Sequence, residues 1–282
     1  MSGGDNLAFF EYEETSMYYE IIGEGVPFLI IHGWAIDHRF TEGMFEPTFE
    51  KCSKSFQRIY IDIPGMGISR PGKVKNGDGI VAVLKAFTEH LLGDKQFYIG
   101  GNSFGSQVSR AFCAKYPEKI LGMLLVVPST GRIAKLPING TAYEDRDFTK
   151  ELTSAEIAEF KCMHATLTRE TWERYIKLVR PSVEINADNE FMRKTLRGSF
   201  SFDIDSAFAK KKYTKPVFII CGKHDTAVGY EEQVEWMKLY PNGSYLCIEN
   251  AGHNIHVDNP EMFTNSVIGF LNCLDPTKNR VD

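Results

Sequence analysis

The stretch of residues 96–105, Q-F-Y-I-G-G-N-S-F-G, limits the fold of this chain more than any other part of it. Its first half, residues 97–99, is an apolar and aromatic run of the kind that forms a strand buried on both faces. Its second half fits the pattern G-x-S-x-G, and residues 106–116 after it carry apolar side chains at helical spacing. The stretch therefore predicts a strand, a sharp turn centred on Ser103 and a helix.

The two glycines around Ser103 follow from the geometry of such a turn. A turn this tight strains the central residue and brings strand and helix close, so Cβ atoms at positions 101 and 105 would clash. The serine hydroxyl would then lie at a helix N-terminus, where the dipole and N–H groups favour negative charge. A lone G-x-S-x-G also occurs in ordinary glycine-rich turns, so the rest of the chain decides between these interpretations.

Length and composition limit the class of protein. The 282 residues suffice for one large α/β domain with an insertion or for two small domains, and 43% hydrophobic residues support a substantial core. A net charge of −5 gives no basic footprint, so we expect no nucleic-acid partner. Residues 1–6 lack the features of a secretory signal, and no run of about 18 apolar residues occurs. We expect a cytoplasmic protein without membrane insertion.

The cysteines and histidines do not form a pattern typical of a metal site. The six cysteines are widely dispersed without a C-x-x-C pair, so we expect reduced core thiols rather than disulfides or ligands. His253 and His256 are three positions apart, but no second cluster of ligand type lies near them in sequence. We therefore expect no metal.

Apolar runs alternate with helical patterns in the first half of the chain. The runs favour an opening hairpin and then buried strands, and the helical patterns favour two helices, the second with Asp78 as its N-cap. This alternation implies parallel strands joined by crossover helices. The six predicted strands are residues 7–12, 16–22, 28–31, 58–62, 97–99 and 121–127, and the two helices besides that at residues 106–116 are residues 41–51 and 78–91.

The pattern changes after the sixth strand. No continuous apolar strand occurs in residues 132–212, where a capping box, Thr153-x-x-Glu156, opens one helix. We interpret these residues as a helical insertion because strands resume after them, so that residues 1–131 and 213–282 form one core. The other predicted elements are helices at 172–179, 189–197, 231–240 and 260–274 and strands at 216–221 and 245–248.

Three residues with complementary chemistry lie at the ends of separate predicted strands, in the order Ser103, Asp225 and His253. An alcohol near neutral pH is a poor nucleophile and needs a base to take its proton. The base needs a carboxylate that fixes its tautomer and stabilises the imidazolium. The three residues supply one candidate for each role, in the chain order given for hydrolases with this turn.

The sequence resembles the α/β-hydrolase superfamily from about residue 7 to residue 274. The resemblance implies a mostly parallel central sheet flanked by helices, with a helical cap at residues 132–212 inserted after the sixth strand. It rests on five motifs in the family's order: His32-Gly33-Trp34, Asp62-x-Pro64-Gly65-x-Gly67-x-Ser69, Gly101-Asn102-Ser103-Phe104-Gly105, Gly222-x-x-Asp225 and Gly252-His253.

The resemblance also implies a role for each matching residue. Ser103 would be the nucleophile, His253 the general base and then acid, and Asp225 the residue that orients His253. The oxyanion hole would consist of the backbone N–H groups of Trp34 and Phe104. Such a site needs neither a metal nor an organic cofactor.

The remaining polar residues of the motifs receive other roles. His256 is a rival for the general base, but we favour His253 because a glycine precedes it in a tight loop. His32 is expected to support the oxyanion loop by hydrogen bonding, and Asp62 to hold its own loop together. His224 is expected to point to solvent.

The substrate is less constrained, because fold does not determine it. We expect a small or medium-sized carboxylic ester, with Trp172, Tyr175 and His164 as candidate pocket residues. The alternative for these three is packing between cap helices. Asn102 resembles the G-N-S-x-G turn of carbon–carbon bond hydrolases of ring-cleavage diketones, although His-Gly-Trp does not match their longer oxyanion loop. A non-catalytic ligand-binding or receptor protein on this scaffold is a further alternative, and the oligomeric state stays open.

Overall fold

One large sheet forms the centre of the molecule. The computed structural model describes residues 8–130, 135–186, 189–192 and 204–274, with the backbone alone at 205 and 206. The strands are β1 (Ala8–Tyr12), β2 (Thr15–Ile22), β3 (Val26–Ile31), β4 (Phe56–Ile61), β5 (Phe97–Asn102), β6 (Ile120–Val126), β7 (Tyr143–Glu144), β8 (Thr166–Leu167), β9 (Val217–Gly222) and β10 (Gly243–Ile248).

Eight of these strands form a mostly parallel sheet in the order β1-β2-β4-β3-β5-β6-β9-β10. The predicted opening hairpin is confirmed, because β1 pairs antiparallel with β2. Strand β2 also pairs antiparallel with β4, and all later neighbours pair parallel. The carboxyl ends of β3, β4, β5, β6, β9 and β10 therefore lie at one edge of the sheet.

Helices cover both faces of this sheet. They are α1 (His38–Phe49), α2 (Gly77–Leu92), α3 (Phe104–Lys115), α4 (Arg146–Thr149), α5 (Ser154–Met163), α6 (Arg169–Leu178), α7 (Arg180–Glu184), α8 (Ile204–Lys210), α9 (Glu231–Glu235), α10 (Ile255–Asp258) and α11 (Pro260–Cys273), with a 3-10 turn at Trp236–Lys238.

One predicted helix start is wrong. The N-cap of α2 is Asn76, whose backbone is extended and whose side chain accepts a hydrogen bond from the N–H of Gly79. Asp78 lies inside the first turn, where its charge still favours the helix dipole.

The core consists of two layers, one on each face of the sheet, because successive strand side chains alternate between faces. In β3, Leu29 and Ile31 pack in the layer that contains α2 and α3. Phe28 and Ile30 of the same strand pack in the layer that contains α1 and α11. The continuous apolar run of this strand is thus explained by burial on both sides.

Residues 135–186 and 189–192 between β6 and α8 contain α4 to α7 and the small parallel pair of β7 and β8. The capping box at Thr153 and Glu156 is confirmed. The two short strands were not predicted, because two residues are too few to give an apolar pattern. The predicted helix at 189–197 lies outside the described residues, except for 189–192. The division into core and cap stays a prediction.

The cysteines are all free thiols, but they are not all in the core. Cys113 and Cys221 are buried, whereas Cys162 and Cys273 are exposed on helices and correct the expectation of core thiols. Over the described ranges, no group of three or more metal-ligating side chains occurs. None of the helices that the structure describes is long and apolar enough to cross a bilayer.

Candidate active site

Ser103 lies at the turn between β5 and α3, as predicted. Its backbone has φ 52° and ψ −118°, a region that residues with a side chain rarely adopt. A Cβ atom placed on Gly101 or on Gly105 would lie 2.0 Å from the carbonyl oxygen of Ile31. Only glycine therefore fits at both positions, because β3 passes directly beside the turn.

Hydrogen bonds fix this turn to the end of β6. The N–H of Ser103 donates to the carbonyl oxygen of Val126 at 2.9 Å. The hydroxyl of Ser106 donates to the carbonyl of Gly101 at 2.7 Å and accepts from the N–H of Val126 at 3.1 Å. Sequence analysis did not identify Ser106, because its partner Val126 is 20 residues away and leaves no local pattern.

The loop after β3 lies against the serine turn. A Cβ atom on Gly33 would lie 2.9 Å from Nδ2 of Asn102 and 3.3 Å from Cβ of Ser103. The ring of Trp34 packs edge-on against that of Phe104, with centroids 5.4 Å apart. The structure thus brings together the two loops that carry the predicted oxyanion donors.

His32 supports this loop from inside the protein. Its buried ring donates from Nδ1 to the carbonyl of Gly33 at 2.7 Å and accepts at Nε2 from the N–H of Ile63 at 2.9 Å. Burial lowers the pKa of His32, so the ring is neutral, as these two hydrogen bonds require. The expected supporting role agrees with these contacts.

Asp62 organises the neighbouring loop after β4. One carboxylate oxygen accepts from the backbone N–H and from Nδ1 of His38, each at 2.8 Å, and the other accepts from the N–H of Ile68 at 2.9 Å. Burial alone would raise the pKa of Asp62, but the hydrogen bond from His38 and the nearby imidazoles lower it overall.

Asp225 and His253 form a direct hydrogen bond. Nδ1 of His253 lies 2.8 Å from Oδ2 of Asp225, whose side chain is fully buried, while 8% of His253 is exposed. The two residues are carried by the loops after β9 and β10, which are neighbouring strands. This pairing fixes the proton of His253 on Nδ1 and leaves Nε2 as an acceptor.

Further hydrogen bonds hold the loop of Asp225 in place. Its other oxygen, Oδ1, accepts from the N–H groups of Ala227 at 2.8 Å and Val228 at 3.0 Å. Nε2 of the buried Gln233 donates to the carbonyl of Val228 in this loop at 3.4 Å and to the carbonyl of Pro128 at 3.0 Å, which links the loop to the segment after β6. Sequence analysis missed Gln233, because Pro128 is 105 residues away.

The rival residues lie elsewhere. His256 is buried between Phe40 and Phe263, and neither ring nitrogen has a hydrogen-bond partner among the described residues. Burial lowers the pKa of His256 to about 3. His224 donates from Nδ1 to the carbonyl of Asn139 at 2.8 Å, so it does not simply point to solvent.

The three candidate pocket residues contact one another and the protein around them. Trp172 and Tyr175 pack on Phe160 of α5, with ring centroids 5.1 Å and 6.1 Å away. Tyr175 also donates to Glu159, and His164 is fully buried beside Tyr175. These contacts are those expected from packing between elements, and a role in substrate binding stays a prediction.

Comparisons with known proteins agree with this architecture. The family model described as alpha/beta hydrolase fold matches residues 26–260. A proline iminopeptidase of Flavobacterium johnsoniae is 24% identical, covering 89% of this chain and 91% of the relative. A pimeloyl-[acyl-carrier protein] methyl ester esterase of Nitrosomonas europaea is 24% identical, covering 88% and 97% respectively.

A solved structure extends the comparison. The alpha/beta superfamily hydrolase from Oenococcus oeni PSU-1 is similar with a TM-score of 0.80 and 28% identity, over 92% of this chain and 96% of that one. The family model spans most of the chain, and the eight-stranded sheet has the architecture that the five motifs imply. The chain therefore belongs to the alpha/beta hydrolase fold family.

Proposed function

We propose that this protein is a serine hydrolase that cleaves a small or medium-sized carboxylic ester through an acyl-enzyme. The observation that carries the proposal is the buried 2.8 Å hydrogen bond between Asp225 and His253. It is supported by Ser103, whose strained backbone lies at the N-terminus of α3. Membership of a family with esterase relatives supports the same reaction class.

Each residue has one task in the proposed reaction. His253 Nε2 takes the proton of the Ser103 hydroxyl as the oxygen attacks the ester carbonyl. Asp225 keeps the His253 ring in the required tautomer and stabilises the imidazolium. His253 then protonates the departing alcohol, and water hydrolyses the acyl-enzyme with the same histidine as base.

The negative charge of the tetrahedral intermediate needs donors close to Ser103. We assign this role to the backbone N–H groups of Trp34 and Phe104, whose rings are in contact and whose loops meet at Gly33. In known enzymes, one such donor stabilises the transition state by about 3–4 kcal/mol. Because both donors are main-chain groups, changing these side chains would shift the donors without removing them.

Residues 132–212 serve as the cap in this proposal. Their described part contacts the loops at the carboxyl edge of the sheet at several points. Oδ1 of Asn186 accepts from the N–H of Gly67 at 3.0 Å, and Nδ2 of Asn189 donates to the carbonyl of Gly65 at 2.7 Å. The carbonyl of Met163 accepts from the N–H of Asn254 beside His253. A segment in this position would limit the size of the ester.

A fluorophosphonate probe tests the activated serine. We expect the folded protein to be labelled, and Ser103→Ala to lose the label, because the probe reacts only with a serine that a base activates. Absence of labelling of the folded wild type would contradict the proposal and favour a non-catalytic binding protein.

A substrate panel tests the reaction class. We expect turnover of p-nitrophenyl esters, with a preference for short or medium acyl chains, and no turnover of a vinylogous ring-cleavage diketone. Turnover of the diketone alone would instead identify a carbon–carbon bond hydrolase. Ser103→Ala serves as the control for spontaneous hydrolysis in both assays.

A further inference from the structure

A second buried carboxylate lies next to the loop of His253. Oδ2 of Asp258 accepts from the N–H of Gly252 at 2.7 Å and from the N–H of Ala165 at 2.8 Å. Its Oδ1 lies 3.0 Å from Nδ1 of His164. Both the Asp258 and the His164 side chains are completely shielded from solvent.

These hydrogen bonds connect two parts of the chain that are far apart in sequence. Gly252 directly precedes His253, whereas His164 and Ala165 follow α5. One carboxylate thus holds the backbone of the histidine loop against the backbone of a different segment. No step of the proposed reaction uses Asp258.

The ring of His164 completes the link on the other side of His253. Nδ2 of Asn254 donates to Nε2 of His164 at 3.1 Å, so the ring carries its proton on Nδ1 and donates it to Asp258. The N–H of Asn254 also donates to the carbonyl of Met163 at 3.1 Å. The residues immediately before and after His253 are therefore both fixed to residues 163–165.

The packing around Gly252 shows how close this contact is. A Cβ atom on Gly252 would lie 2.9 Å from the carbonyl oxygen of Met163 and 3.1 Å from the N–H nitrogen of Ala165. On its other side, a Cβ atom on Gly222 would lie 2.2 Å from the carbonyl oxygen of Gly252. The histidine loop is thus enclosed between the strand that leads to Asp225 and residues 163–165.

We propose that Asp258 and His164 are positioning residues for His253: by fixing the backbone on both sides of His253 to residues 163–165, they hold its ring against Asp225. The inference rests on the proposed serine-hydrolase function. Its structural part, the geometry of the pair of His253 and Asp225, is measurable without any reaction.

Asp258→Asn tests the proposal, because the amide keeps the size of the side chain but loses the charge and replaces one accepting oxygen by a donor. We expect kcat for a p-nitrophenyl ester to fall at least tenfold while KM changes less than threefold. We also expect the downfield NMR signal of the Nδ1 proton of His253 to weaken or shift. That signal is assigned by its absence in Asp225→Asn.

The matched control is Glu46→Gln. Glu46 is a mostly buried carboxylate that also accepts three hydrogen bonds, from Nε and Nη2 of Arg58 and from the hydroxyl of Tyr60. It belongs to α1, and its described hydrogen bonds go to Arg58 and Tyr60 of β4 rather than to the histidine loop. We expect this variant to lose stability but to keep the wild-type kcat and NMR signal.

His164→Asn decides the question if Asp258→Asn does not fold. It removes the bond from Asn254 while leaving an amide near Asp258, so we expect a smaller change in the same two measurements. Wild-type kcat together with a wild-type NMR signal in whichever variant folds would overturn the proposal.

The two proposals fail in different ways. If the wild type does not react with a fluorophosphonate, the hydrolase function fails, but the NMR signal still reports whether Asp258 positions His253. If the wild type reacts and the signal is unchanged in both variants, only the positioning role fails.

Discussion

The two carboxylate oxygens of Asp225 have separate partners. Oδ2 accepts from His253, and Oδ1 accepts from the two N–H groups of its own loop, at Ala227 and Val228. The two hydrogen bonds at Oδ1 orient the carboxylate so that Oδ2 points towards His253. The side chain is fully buried, so both oxygens are shielded from bulk water.

We predict that Asp225→Asn preserves the fold and lowers kcat by about 10⁴-fold, the loss seen when a triad acid becomes an amide. The amide can still accept from Ala227 and Val228, but it donates to His253 and imposes the wrong tautomer. Steady-state kinetics with a p-nitrophenyl ester and a thermal melt measure both effects.

Asp145→Asn is the control, because Asp145 also accepts from two N–H groups of its own turn, at Asp147 and Phe148. A kcat within tenfold of the wild type in Asp225→Asn would contradict the assigned role.

The glycine at position 105 illustrates how surroundings decide the effect of one substitution. Gly105 and Gly269 both lie within helices, α3 and α11. By helix propensity alone, alanine would stabilise either position by about 0.5–1 kcal/mol. A Cβ atom on Gly269 meets nothing within 4 Å, whereas one on Gly105 would lie 2.0 Å from the carbonyl of Ile31.

We therefore predict opposite signs for the two variants. Gly269→Ala should raise the free energy of unfolding by about 0.5–1 kcal/mol. Gly105→Ala should lower it by about 1–3 kcal/mol or more, because the backbone of β3 cannot move away without disturbing the sheet. Urea unfolding followed by circular dichroism measures both. Equal stabilisation in the two variants would show that the turn and β3 are not in close contact.

At the level of elements, buried polar side chains tie loops to neighbouring elements. His38, at the start of α1, contacts Asp62 in the loop after β4. Burial alone would lower the pKa of His38, but the hydrogen bond that His38 donates to Asp62 and the charges of Asp62, Asp37 and Glu20 raise it overall. Folding therefore favours the protonated form of His38.

The raised pKa of His38 predicts a pH dependence of stability. A group with a higher pKa in the folded state stabilises the fold fully below its unfolded pKa, about 6.5, and the contribution is lost as pH rises through the folded pKa. The stability of the wild type relative to His38→Gln should therefore fall progressively as pH rises from about 6.5 into the mildly alkaline range. Urea unfolding of both proteins across this range measures the difference. A difference that stays constant or grows with pH would contradict the raised pKa.

The sequence predicts the elements of the site better than their supports. Ser103, Asp225 and His253 follow apolar runs and are accompanied by glycines, so both strand ends and tight turns leave a local pattern. Asn76 and Asp78 both suit an N-cap, and only the backbone conformation distinguishes them. The supports leave no local pattern, because each has a partner far away in the sequence: 20 residues for Ser106, 105 for Gln233 and 94 for Asp258.

At the scale of the whole molecule, one sheet separates two apolar layers, and the site lies where six parallel strands end together. The cysteine thiols differ in how deeply they are buried within these layers. Cys113 and Cys221 belong to the same layer of the core, and Cys162 and Cys273 lie exposed on α5 and α11. Their reactivity therefore reports on the compactness of the entire fold.

We predict three classes of thiol when the native protein reacts with Ellman's reagent near pH 8. Cys162 and Cys273 should react first, and the half-buried Cys52 and Cys247 more slowly. Cys113 and Cys221 should react only as the protein opens, because they are inaccessible and burial raises the pKa of both thiols, that of Cys113 to about 12.

Two controls identify these classes. Replacing Cys162 and Cys273 by serine should remove the fast phase and leave the slow one unchanged. Adding urea below the unfolding midpoint should accelerate the slow phase in proportion to the fraction of open molecules, as long as opening and closing are fast compared with the reaction. Six thiols that react in one fast phase would contradict the two-layer core, and fewer than six in the denatured protein without reductant would contradict free cysteines. Because the slow phase reports the opening of the core that carries the sheet, it also gives the stability against which every active-site variant above should be compared.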